Sequence, residues 1–264
     1  MTQPDELPIG LTEAEKNNIQ LIYEMGRDTD PPLSPVRNIA EYERMSGVLI
    51  RYPFGISVDI IRELSEDLIV YCLVSSTQES SALSSMSTGN VNTNNVEFIT
   101  GLTDSYWTRD YGPWWVVDGE NNMGIVDFTY NRPRLNDNEA PLKVSQSLNV
   151  PYYSVDIVHA GGNYMTDGYG ISASSNLVYE ENNMSNDDLN NLMNLYYGIE
   201  TYHVIADPNN TYIDHIDCWG KYLSPTKVLI REVPAGHAQY SEVELAANYF
   251  TETLNTWDEP WEVY

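Results

Sequence analysis

Residues 210–223 read NTYIDHIDCWGKYL, a histidine, two aspartates, a cysteine and a tryptophan in a run of alternating apolar and polar positions. A period of two predicts a half-buried strand, with His215, Asp217 and Trp219 on one face and Ile216 and Cys218 on the other. On that reading His215 and Asp217 share a pocket. Cys218 points into packing as a small buried hydrophobe and is not a nucleophile. Working outward, the same unit recurs. TYHVIAD (Thr201–Asp207) leads into this stretch as YYSVDIVHA (Tyr152–Ala160) leads into GGNYMTDGYGISA, and as VEFITG (Val96–Gly101) leads into SYWTRDYGPWWVV. Each unit has an alternating strand, a polar turn, then a strand entered through Asp, Asn or His. The landmarks Asp110, Asn163 and His215 lie 53 and 52 residues apart, a period found in repeat architectures. One period further back, MSGVLIRYPFG supplies another strand in phase.

Helices fill the gaps. SVDIIRELSED carries Ser57 as N-cap and Ile60, Ile61 and Leu64 as its apolar stripe. SNDDLNNLMNLYYG opens at Ser185 and stops at Gly198. SEVELAANYFTETLN opens with the capping-box pair Ser241 and Glu244. Short strands with one helix per repeat predict an α/β fold, a pseudosymmetric propeller whose polar turns converge on the axis. No internal linker interrupts it, so residues 1–264 read as one domain. Residues 1–40, with DPPLSPVR among them, read as a leader packed on the outside.

The chain has 264 residues and a formal net charge of −26. That charge argues against nucleic acid and anionic membranes as partners; it suits either cationic small molecules and peptides or plain solubility. No apolar run approaches membrane-spanning length. Cys72 lies in the apolar strand LIVYCLV, and with Cys218 as the only other cysteine there is neither a disulfide framework nor a CxxC zinc pattern. MTQPDELPIG has no signal-peptide pattern. Acidic stretches such as ENNMSNDD lack the D-x-[DN]-x-[DN]-G calcium loop.

Asp110 in YWTRDYGPWW either caps a turn, pairs with Arg109, or faces the pocket of His215 and Asp217. In the last case two carboxylates from different repeats suit a planar guanidinium, with the Trp107 face adding cation–π attraction. NRPR places Arg132 and Arg134 on alternate positions, a fork for a carboxylate or a solvated basic pair. Gly161-Gly162 allows a close backbone approach and is not a phosphate loop.

WTRDYGPW, GGNYMTDGYG and HIDCWGKYL resemble, in order and spacing, the bacterial Porphyromonas-type peptidylarginine deiminases. These are relatives of agmatine deiminase in the guanidino-group-modifying superfamily. The likeness runs from YERMSGVLIRYP to WEVY. It implies a five-fold, pentein-like propeller and hydrolysis of arginine to citrulline and ammonia, with no metal or other cofactor. It implies that Asp110 and Asp217 bind the guanidinium, that His215 is the general acid and base, and that Trp107 and Ile213 wall the side-chain slot. Arg132 and Arg134 would hold the α-carboxylate of a C-terminal arginine, with Tyr212 assisting. The implied partners are an arginine-containing peptide or a small guanidino substrate; agmatine deimination and non-catalytic guanidinium binding are the alternatives. The family also suggests secretion.

One feature departs from the pattern. The family's nucleophilic cysteine lies well beyond the histidine motif, whereas this sequence ends 49 residues after His215 with no cysteine after Cys218. WEVY falls in phase with VEFITG, as the opening strand of a further unit. The expectation is therefore an incomplete chain lacking its last unit, inactive alone, with the cysteine carried by a separate C-terminal fragment.

Overall fold

A computed structural model describes residues 7–210 and 213–264. Thirteen strands are described: β1 Arg37–Asn38, β2 Gly47–Arg51, β3 Ile69–Val74, β4 Val96–Thr100, β5 Trp114–Val117, β6 Met123–Tyr130, β7 Tyr152–His159, β8 Met165–Thr166, β9 Ile171–Ser175, β10 Thr201–Ile205, β11 Gly220–Ser224, β12 Lys227–Ile230 and β13 Glu262–Val263. They form four sheets, ordered β2-β3-β4, β1-β5-β6-β7, β8-β9-β10 and β11-β12-β13. In the last three a hairpin pairs antiparallel, and a helical crossover then returns the chain to a parallel strand. In the first sheet all three strands are parallel. The repeat is thus a ββαβ unit, with strands short enough that each sheet depends on its crossover helix for a covered face.

This topology changes the unit boundaries. VEFITG, YYSVDIVHA and TYHVIAD are β4, β7 and β10, which close their own sheets instead of opening the next. WEVY follows the same rule: β13 lies parallel to β12, with Val263 opposite Val228, as the third strand of the fourth sheet. The described residues build three such units and one all-parallel βαβαβ sheet, and a fifth sheet is not among them.

Local signals account for two of the three anticipated helices. Ser57 caps Val58–Asp67 by accepting from Ile60 N at 3.4 Å, and Ser185 caps Asn186–Tyr197 by accepting from Asp188 N at 3.1 Å. The first helix buries Ile61 while Ile60 faces solvent at 51% exposure, so its stripe is narrower than expected. The third, Tyr240–Glu252, starts behind Gln239 with no side-chain cap, placing Ser241 inside the first turn. Gln239 instead accepts from Arg231 Nη2 and donates to Asn209 O, and those tertiary bonds set the helix start.

Helix Asn186–Tyr197 packs Leu189, Met193, Tyr196 and Tyr197 against Val126, Phe128, Val155 and Ile157 of the second sheet. Cys72 is wholly buried in β3, as its apolar run predicts. The N-terminal segment is laid into the body rather than merely against it. β1 extends the second sheet along β5, with Ala40 and Asn38 buried, and Met25 is buried too, its carbonyl accepting from Asn138 Nδ2 at 3.3 Å.

Gly198 ends its helix at φ +69°, and a Cβ there would fall 1.8 Å from Val36 O. Both the left-handed backbone and the packed segment exclude a side chain. Gly198→Ala is expected to cost about 2 kcal/mol or more in urea unfolding. Gly236→Ala, with nothing within 4 Å of the added carbon, should stay within about 0.5 kcal/mol. Equal effects would show that the contact with Val36 is not a constraint.

Candidate functional site

Three polar turns link the sheets: a helical turn at Thr108–Tyr111 between β4 and β5, a tighter one at Gly161–Asn163 between β7 and β8, and another at Ile216–Cys218 between β10 and β11. The run after His215 is therefore a turn, and the alternation expected of a strand does not hold. Ile216 and Trp219, three residues apart, go into the core of the fourth sheet, while Asp217 and Cys218 face outward. Apolar residues at i and i+3 are the mark of a helical turn, and that spacing was present in the sequence. Cys218 is exposed, not packed.

Asp110, His215 and Asp217 nonetheless meet, and Gly162 is where they do so. Its N–H donates to Asp110 Oδ1 at 3.2 Å. A Cβ on Gly162 would lie 2.5 Å from Asp110 Oδ1, 2.6 Å from His215 Nδ1 and 3.1 Å from Asp217 Oδ2. His215 Nδ1 is itself 3.4 Å from Asp110 Oδ1. Asn163 holds the arrangement together, its Oδ1 accepting from Ile216 N at 3.2 Å and from Ser175 N at 2.8 Å.

Burial sets the protonation states. It pushes Asp110 up to about 6, helped by the Asp217 carboxylate and opposed by Arg132. It pushes His215 down to about 3, with Arg132 and Arg109 adding repulsion. Asp217 is raised by burial and drawn back by Arg109 and Lys221. At neutral pH a neutral imidazole thus faces a carboxylate, which favours the tautomer with hydrogen on Nδ1 and a lone pair on Nε2. Nε2 is buried with no hydrogen-bond partner among the described residues, as are Tyr130 Oη and Asn163 Nδ2.

Arg109 is not the partner of Asp110. It pairs with Glu41, approaches Asp217 Oδ2 at 3.7 Å, donates to Tyr164 O at 3.0 Å and lies 5.1 Å over the Trp114 ring. Lys221 joins Glu41 from β11.

Arg132 and Arg134 form neither an open fork nor a solvated pair. Both are buried, and both bond to the N-terminal segment: Arg132 Nε to Ile9 O at 2.8 Å, Arg134 Nε to Glu15 Oε1 at 2.7 Å. Trp107 does the same through Nε1, donating to Leu7 O at 3.0 Å. Ile213 is half-buried two residues before His215. Tyr212 lies outside the described residues.

Neither cysteine is poised as a thiolate. Burial pushes Cys72 up to about 12. Partial burial and the Asp217 and Asp207 carboxylates push Cys218 up to about 11. Among the described residues, no cluster of three or more His, Cys, Asp or Glu is placed to hold a metal ion.

Sequence reading overlooked two contributors. Tyr130 is fully buried, which pushes its phenol up, and the Asp110 carboxylate pushes it further. Glu181 receives both contacts of Asn131 Nδ2, at 2.9 and 3.1 Å, and is pushed up to about 7 by burial. The NRPR run names its neighbours, and nothing local flags Glu181 itself.

The depressed histidines give a pH test. His159, pushed to about 3 by burial and by His215, and His215 bind no proton in the folded state between about pH 6.5 and 3, whereas the unfolded chain does. Both therefore subtract stability as pH falls through that window. Ring 15N shifts of the folded protein should keep the neutral-imidazole pattern for both residues at pH 5. Imidazolium shifts by pH 5.5 would contradict the enclosed site.

A sequence model of the family described as Porphyromonas-type peptidyl-arginine deiminase matches residues 55–264. An agmatine deiminase of Ectopseudomonas mendocina is 26% identical over 155 residues, which cover 52% of this chain and 42% of that protein. One of Pseudomonas aeruginosa is 26% identical over the same shares. The chain spans about half the length of the curated relatives it matches. Among solved structures, an agmatine deiminase of Enterococcus faecalis superposes with a TM-score of 0.77 at 16% identity, over 90% of this chain and 73% of that one. The structural likeness shows a shared α/β fold with mixed sheets. With the family match covering most of its length, the chain belongs to the Porphyromonas-type peptidyl-arginine deiminase family.

Proposed function

We propose that the protein hydrolyses the guanidinium of an arginine-type substrate to a ureido product and ammonia. The observation that carries this is the convergence of Asp110 from one turn, and of Asp217 and a neutral His215 from another, on Gly162 of a third. Two carboxylates orient the guanidinium through charge-assisted hydrogen bonds. His215 Nε2 takes the proton of a cysteine thiol as its sulfur adds to the guanidinium carbon, then passes that proton to the departing ammonia, leaving a thiouronium. His215 Nε2 then takes a proton from water as its oxygen adds to that carbon, and collapse expels the thiolate and the ureido product. Since Cys72 is buried and Cys218 is held as a thiol among carboxylates, the nucleophilic sulfur is assigned to polypeptide other than these 264 residues.

For a C-terminal arginine, Arg132 and Arg134 would grip the α-carboxylate once freed from the N-terminal segment. A second reading, an agmatine-type substrate lacking a carboxylate, is favoured by the engagement of both arginines with Leu7–Glu15. Both readings share the inner guanidinium site, and a non-catalytic binder would share it too.

Calorimetry with arginine and agmatine tests the shared site. Asp110→Asn and Asp217→Asn should each weaken guanidinium binding about 10- to 100-fold, the equivalent of one charge-assisted hydrogen bond. Gly162→Ala should weaken it at least as much by displacing Asp110 and His215. Unchanged affinity in all three variants would remove the guanidinium site. A citrulline assay tests the sulfur: the 264-residue chain should release none. Turnover lost in Cys218→Ala would make Cys218 the nucleophile.

A further inference from the structure

The N-terminal segment is tied to the residues that the functional reading gives to the outer part of the substrate. Leu7 O accepts from Trp107, Ile9 O from Arg132, and Pro8 O and Gly10 O from Arg134 Nη2 at 2.6 and 3.2 Å. Glu15 completes the set, with Oε1 2.7 Å from Arg134 Nε and Oε2 3.4 Å from Nη2. Two carboxylate oxygens against one guanidinium edge is the arrangement by which arginine recognises carboxylates, and this Arg134 side chain is 1% exposed. One guanidinium edge cannot hold a second carboxylate in the same way, and two anions there would repel.

Glu15 is placed deliberately. Thr12 N and Oγ1 donate to its Oε2 at 2.7 and 2.8 Å, a capping box that opens the helical turn Glu13–Lys16. Yet that turn buries no residue, and Gly10 is the one buried residue between Leu7 and Ile19. The segment is held by polar bonds rather than by a packed core, so a ligand offering the same groups can replace it.

We propose that residues 7–15 are an internal competitor for substrate carboxylate, with Glu15 the specificity-determining residue. In place, the segment restricts the site to guanidino compounds without a carboxylate; displaced, it releases Arg132 and Arg134 to the α-carboxylate of arginine. The proposal rests on the guanidinium reading for what fills the inner end of the site.

Arginine and agmatine differ by that carboxylate alone. Their affinities are to be measured on the full chain for wild type, Glu15→Gln and Glu15→Gln/Arg134→Ala. The arginine-to-agmatine affinity ratio should rise about tenfold in Glu15→Gln, and the gain should vanish in the double variant. A merely structural Glu15 would weaken both ligands alike; an unchanged ratio overturns the proposal. Wild-type protein gives a second readout should the variant fold poorly. Amide hydrogen exchange across residues 9–16 should speed up with bound arginine and not with agmatine, and no change with bound arginine overturns the competition. N-acetylnorleucine, a carboxylate with an alkyl arm and no guanidinium, separates this proposal from the functional reading. If neither guanidino compound binds any form, the guanidinium site falls and N-acetylnorleucine decides alone. Tighter binding to Glu15→Gln than to wild type sustains the competitor, and equal binding rejects it.

Discussion

The absence of a side chain at Gly162 is what the rest of the site depends on. Any Cβ there would collide with Asp110 and His215 and crowd Asp217. Gly161 is equally constrained, since a Cβ on it would sit 2.2 Å from Arg109 O. Two consecutive glycines let the turn after β7 press against the turns on either side. That contact brings a carboxylate from before β5 and an imidazole from before β11 into a common enclosure. The ββαβ repeat supplies the equivalent positions, and close backbone approach turns equivalence into contact.

Enclosure then decides the chemistry. In water His215 would share its proton near neutrality; buried beside Arg132 and Arg109 it is a neutral base. Asp110 moves the other way, resisted by the same Arg132. A chain with 13 basic residues against 39 acidic ones sets Arg109, Arg132, Arg134 and Lys221 around this region. Their effect is local: each is matched by a carboxylate or a carbonyl, so the site is polar and paired rather than a positive surface. The net charge informs solubility and encounter, and the paired interior governs recognition.

The helices at Val58–Asp67 and Asn186–Tyr197 were legible because an N-cap serine acts on a backbone N–H three residues away. The helix at Tyr240–Glu252 was also legible, but its start was not, because that start answers to Asn209 and Arg231. Asp110 and His215 could be nominated from recurring polar landmarks and Asp217 from the resemblance of HIDCWGKYL, although the face argument linking the last two failed. Ile216 and Trp219 are both buried by a turn that period-two reading cannot represent.

By itself, the sequence determined the α/β repeat, its period, the burial of Cys72 and the candidate carboxylates and histidine. All of these follow from spacing within a few residues or from repetition of the same short pattern. Tertiary structure alone decided which strands share a sheet, that β13 closes a unit, and that Cys218 faces outward. It also decided what holds Arg134. Its partner Glu15 lies 119 residues earlier in the chain, and no local propensity specifies an ion pair across that distance. Such a pair exists only once the fold has excluded water from both charges and left each as the other's nearest partner.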